Sequence, residues 1–106
     1  MRSKQKAAVQ RKRAALPRKS DFTQQFAKDW KRLSDSGLQD LTRLKETMAL
    51  LVANEGPLAE EWHDHPLNGK WRDHRELHAK GDLLLIYKIA QDMVVFVRAG
   101  THAELF

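Results

Sequence analysis

The sequence predicts an α+β fold, with an N-terminal helical hairpin packed on one face of a small twisted antiparallel β-sheet. Three observations carry it. Apolar residues recur at helical spacing from Phe22 to Val52. Two short, near-continuous apolar runs, Leu83 to Tyr87 and Met93 to Val97, stand on either side of the polar turn Ala90-Gln91-Asp92, as paired strands of a sheet interior do. The length, 106 residues, suffices for one core and not for two.

Each element has its own warrant. Residues 1–13 are cationic and poor in apolar groups, a composition that cannot offset its own ordering entropy, so they read as a flexible basic tail ahead of one domain over 14–106. Ala14 to Ser20 reads as an edge strand, because Pro17 is tolerated at an edge and not in a sheet centre. Ser20 and Asp21 are candidate caps for a first helix whose face is Phe22, Phe26, Trp30 and Leu33. Ser34-Asp35-Ser36-Gly37 breaks it. A second period runs through Leu38, Leu41, Leu44, Met48, Leu51 and Val52, and Asn54-Glu55-Gly56-Pro57 stops it. A further strand over Trp71 to His78 ends at the turn Lys80-Gly81-Asp82 and brings the sheet to three or four strands. The hairpin covers one face of this sheet; the other is left for a site.

Composition excludes several classes. Without cysteine there is neither a disulfide nor a thiolate metal site. No apolar run is long enough to span a bilayer, and an apolar N-terminal signal is lacking, so the expectation is a cytoplasmic protein with no membrane partner. The net charge of +5 is unevenly placed: residues 1–19 hold eight bases and no acid, leaving 11 bases against 14 acids in residues 20–106. Any grip on phosphate by the folded part must therefore come from a local cluster.

All five histidines, His63, His65, His74, His78 and His102, lie in the last 44 residues. Histidine can give and take protons at neutral pH, so the clustering points to acid–base chemistry or to a metal. His74-Arg75-Glu76-Leu77-His78 lacks the glutamate that directly follows the first histidine in zinc-protease helices. On a strand, its two histidines stand roughly 13 Å apart. No histidine arrangement offers convincing ligand geometry from sequence, and no metal or other cofactor is expected. Strand alternation places Arg72, His74, Glu76 and His78 on one face, with His74 the bystander among the histidines.

Three segments together carry a family resemblance: His65-Pro66-Leu67-Asn68-Gly69-Lys70-Trp71, then Asp82-Leu83-Leu84-Leu85-Ile86-Tyr87-Lys88, then Gly100-Thr101-His102 through Leu105-Phe106. They resemble the YafQ-like toxins of the RelE superfamily of toxin–antitoxin ribonucleases, over essentially residues 16–106. The resemblance implies an endoribonuclease that cuts messenger RNA in the decoding site of the 70S ribosome, restrained by a cognate antitoxin. By position, His65, His78, Asp82, His102 and Phe106 match the family's functional residues. Glu76 stands where an aspartate is usual, and Leu83 replaces a tryptophan beside Asp82.

Cutting RNA without a metal needs a base for the ribose 2′-hydroxyl, an acid for the leaving 5′-oxygen and fixed positive charge for the transition state. On that chemistry His102 is assigned as acid and His78 as base, tuned by Asp82 or Glu76. His65 and Arg98 are assigned to phosphate, and Phe106 to stacking on a base. The competing class is a toxin of the same fold that inhibits a protein such as gyrase without catalysis; the histidine set argues against it.

Overall fold

The computed structural model describes residues 16–106. The tail assigned to 1–13 lies outside the described residues. Strand β1 (Lys19–Phe22) leads into helix α1 (Gln24–Ser36) and helix α2 (Thr42–Ala53). A 3-10 turn (Glu60–Trp62), the two-residue strand β2 (His65–Pro66) and a second 3-10 turn (Gly69–Trp71) follow. Strands β3 (Arg75–Lys80), β4 (Leu83–Ala90) and β5 (Met93–Thr101) and the short helix α3 (His102–Leu105) complete the chain.

The five strands form one sheet in the order β1-β5-β4-β3-β2. β1 runs parallel to β5, with Lys19 beside Met93 and Phe22 beside Phe96; the other pairs are antiparallel. The sheet is thus mixed and five-stranded, where an antiparallel sheet of three or four strands was expected. Two shifts explain this. The first strand spans 19–22 rather than 14–20, so its backbone takes Ser20 and Asp21 out of capping. Thr23 is the N-cap instead, its Oγ1 accepting from Phe26 N–H at 3.0 Å. The third strand starts at Arg75 rather than Trp71, because the 3-10 turn and the left-handed Asp73 (φ 68°) come first.

The helix stops fall where expected. Gly37 (φ 66°) ends α1 and Asn54 (φ 55°) ends α2, both left-handed. Leu38, expected in the second helix, is 86% exposed in the connection.

Both helices cover one face of the sheet. Phe26, Leu33, Leu44 and Leu51 pack on Leu77, Leu83, Leu85, Tyr87, Val94 and Phe96. The opposite face has a small apolar patch of Leu84, Ile86 and Leu105, flanked by Leu67, Trp71 and Val97. Residues facing each other across neighbouring strands share a face. One row on this side therefore reads His65, Glu76, Ile86, Arg98, and the next reads His78, Leu84, Gly100. Among the described residues, no helix is long and apolar enough to cross a membrane.

Candidate active site

The chemistry-bearing residues gather on the face that the helical hairpin leaves open, in two groups. The first lies on β2 and β3. His65 Nε2 is 3.4 Å and His78 Nε2 is 3.9 Å from Glu76 Oε1, and Glu76 is almost fully buried. The two imidazole centroids are 6.2 Å apart. His65 Nδ1 lies 2.7 Å from the His63 carbonyl oxygen. A carbonyl only accepts, so Nδ1 donates to it and Nε2 faces the Glu76 carboxylate.

The loop that delivers His63 and His65 is tied to the sheet through Asp64. Its Oδ1 accepts from Tyr87 Oη at 2.6 Å and from Arg75 Nε at 3.2 Å. Burial, helped by the Asp64 carboxylate, pushes the Tyr87 phenol well above its ordinary value, so it remains a donor.

The second group surrounds the end of β5. Asp82, in the β3–β4 turn, accepts weakly from the His102 backbone N–H at 3.4 Å. The His102 and Phe106 ring centroids are 5.0 Å apart, and Trp71 meets Phe106 edge-on at 6.4 Å. Phe106 is half exposed, as a stacking surface must be. Thr101 and Glu104 form a capping box that starts α3: Thr101 Oγ1 accepts from Glu104 N–H, and Glu104 Oε1 accepts from Thr101 N–H at 2.8 Å. Among the described residues no hydrogen bond, ion pair or ring contact joins the two groups.

Arg98 stands apart from both. Its guanidinium is held by Asp29 of α1, with Nε 2.8 Å from Oδ2 and Nη2 3.1 Å from Oδ1. Asp29 is fully buried. Burial alone would push its carboxyl up. Hydrogen bonds from Arg98, Arg32, the Ala99 N–H and Gln25 outweigh this and hold it at about 2.

Three features escaped the sequence reading. His65, Glu76 and His78 each offer a ligand atom, and these atoms all lie within 4.8 Å of one another. The expectation that no histidine arrangement offers ligand geometry fails here, because β2 pairs with β3 and sets His65 directly opposite Glu76. His63 also belongs to the cluster, its ring 5.3 Å from His78 and edge-on to it; its place two residues before His65 was the available signal. Asp29 was missed too, although it falls on the apolar face of α1, between Phe26 and Leu33.

Comparison with known proteins shows the family and the fold. Residues 18–106 match the family model described as the bacterial toxin of type II toxin–antitoxin systems, YafQ. The mRNA interferase toxin YafQ of Escherichia coli (strain K12) is 40% identical over 91 residues, covering 86% of this chain and 98% of the relative. Among solved structures, the E. coli DinJ–YafQ toxin–antitoxin complex matches with 40% identity and a TM-score of 0.77, over 86% of this chain and 99% of its counterpart. A metal-bound toxin from Helicobacter pylori matches with 42% identity and a TM-score of 0.74, over 84% and 99%.

Proposed function

Because the chain belongs to the YafQ family of type II toxin–antitoxin toxins, we propose that it is an mRNA-cleaving endoribonuclease that acts on the ribosome, in the cytoplasm, and is restrained by a cognate antitoxin. Its relative in the DinJ–YafQ complex has such a partner. The observation that carries the reading is the open sheet face, where His65, Glu76 and His78 converge and where His102 and Phe106 adjoin at the end of β5.

The reaction proposed is attack of the ribose 2′-oxygen on the neighbouring phosphorus, with loss of the 5′-oxygen. His78 takes the 2′-hydroxyl proton, and Glu76 beside it stabilises the imidazolium that results. His102 protonates the leaving oxygen, while Asp82 orients the backbone from which His102 projects. His65 supplies positive charge to the phosphate once protonated. Phe106 stacks on a base, backed by the edge of Trp71. Arg98 departs from its expected role. With the Nε–Nη2 edge of its guanidinium on Asp29, it supports the reaction chiefly by fixing β5 rather than by touching phosphate.

Catalysis is proposed to need no metal. The His65, Glu76 and His78 trio still has the donor set for a first-row transition ion, two nitrogens and one oxygen. An ion held there would occupy the lone pairs that the base needs, and so would inhibit.

The test is cleavage of ribosome-bound mRNA by the purified chain in chelator, with analysis of the new ends. Retained activity, 2′,3′-cyclic phosphate ends and no cut where the scissile ribose is replaced by deoxyribose are expected. Cleavage that is lost in chelator while the ribosome stays assembled and is restored by added metal, or that persists at the deoxyribose, contradicts the mechanism.

A further inference from the structure

We propose that Arg32 is a positioning residue of the cleavage site, latching the C-terminal turn that carries His102 and Phe106 to helix α1. The inference rests on the reading that these two residues serve RNA cleavage.

The latch arises from an unfinished sheet edge. β1 pairs with β5 only over Met93 to Phe96, so among the described residues the backbone of β5 beyond that point has no neighbouring strand on this side. Unpaired edge groups need partners, and side chains at and after the start of α1 supply them. Thr23 Oγ1 donates to the Val97 carbonyl at 2.7 Å, and Asp29 Oδ2 accepts from the Ala99 N–H at 3.0 Å. Arg32 Nη2 donates to the Ala99 carbonyl at 3.1 Å.

Arg32 then continues outward. Its Nη1 is 2.7 Å from Asp29 Oδ1, and its Nε is 3.2 Å from Glu104 Oε2 in α3. One planar fork thus ties a buried carboxylate, a strand carbonyl and the C-terminal turn together, which a lysine ammonium could not do. The approach is close: a Cβ at Gly100 would stand 2.9 Å from Arg32 Nη2 and 2.9 Å from Glu104 Oε1, so these two side-chain ends would have to shift to admit one.

Energetics separate positioning from stability. The Arg32–Glu104 pair is more than one-third exposed on both sides, and such pairs add little to global stability. A four-residue helix, however, cannot hold itself. Besides the capping box, the burial of Leu105, the weak hydrogen bond from the His102 N–H to Asp82 and the Trp71–Phe106 ring contact, the latch is what ties the C-terminal turn to the rest of the described residues, and it alone reaches helix α1; His102 opens α3. Losing the Arg32–Glu104 pair costs little folding free energy but loosens the reacting groups, where misplacement by about 1 Å is worth up to roughly a hundredfold in rate.

The test compares the full-length chain with Arg32→Ala, Arg32→Lys, Glu104→Gln and the Arg32→Ala/Glu104→Gln double variant. Glu104→Gln retains the capping box, since glutamine serves at that position, and removes only the charge that Arg32 holds. Cleavage kinetics, melting temperature and amide exchange of Phe106, whose N–H donates to the His102 carbonyl at 2.9 Å, are measured together. Expected are a fall in kcat of about tenfold to a hundredfold with KM nearly unchanged for Arg32→Ala, and a smaller fall for Arg32→Lys. The double variant should be no slower than the slower single. Exchange should quicken at Phe106 without a matching loss of melting temperature.

Full-rate cleavage with Phe106 still protected overturns the latch. Rapid exchange at Phe106 with full-rate cleavage leaves the latch standing and instead overturns the reading of His102 and Phe106 as cleavage residues. If Arg32→Ala melts early because Asp29 has lost a partner, Glu104→Gln decides alone, and its full activity overturns the proposal.

Discussion

The two faces of the sheet are built by different rules. On the helix side, Leu77, Leu83, Leu85, Val94 and Phe96 meet Phe26, Leu33, Leu44 and Leu51 in a continuous apolar layer. On the other side three buried apolar residues share the surface with His65, Glu76, His78 and the C-terminal turn. Along β4 the division changes residue by residue: Leu83, Leu85 and Tyr87 belong to the helix layer, Leu84 and Ile86 to the site layer. Stability is concentrated on one face and the proposed chemistry on the other, so substitutions on the two faces should separate folding from cleavage.

The largest effect on folding should follow Leu77→Ala. Leu77 is fully buried between the sheet and the helices, and the cavity left behind should cost about 2–5 kcal/mol, read as a lower denaturation midpoint. A cost below about 1 kcal/mol would mean that the helix layer collapses onto the gap and is less firmly packed than the comparison requires.

Acid comes next. Asp29 joins α1 to β5, and its carboxyl is held at about 2 in the folded chain against an ordinary value near 3.8. A carboxyl depressed on folding stabilises the protein above its unfolded value. That contribution is lost as the pH falls from about 4 through about 2, and a shift of this size amounts to about 2–3 kcal/mol. The Asp29→Asn variant should be less stable at neutral pH, and its melting temperature should fall less steeply over that range. Parallel curves for the two proteins would show that Asp29 is not the sensor.

The smallest effect should come from removing residues 1–13. These residues are cationic and carry no core-like apolar pattern, so the melting temperature should stay within about 2 °C of that of the full chain. A larger fall would mean that the first residues belong to the domain.

What was legible in the sequence divides along the same line. β4, β5 and both long helices announce themselves, because a buried face imposes a period on the residues that fill it. β1 does so only in part: Pro17 points to an edge strand, but Lys19 to Phe22 are all exposed and carry no period, so its bounds and its parallel pairing with β5 do not show. β2 is two residues long and carries no period, yet its register alone brings His65 onto Glu76. The residue types of the site were therefore readable while its clustering was not. The same holds for Asp29 and Arg32. Charged residues in a helix read as solvated by default, and only the edge of β5 left unpaired by the described strands gives these two a structural purpose.

The most direct test of the account is His102→Ala, with RNA cleavage, melting temperature and antitoxin binding measured on the same preparation. The account predicts cleavage slowed by roughly a hundredfold to ten-thousandfold, the worth of a positioned general acid, with melting and antitoxin binding unchanged. Near-full cleavage by a variant with unchanged melting would contradict it and move the acid role to His65 or His78.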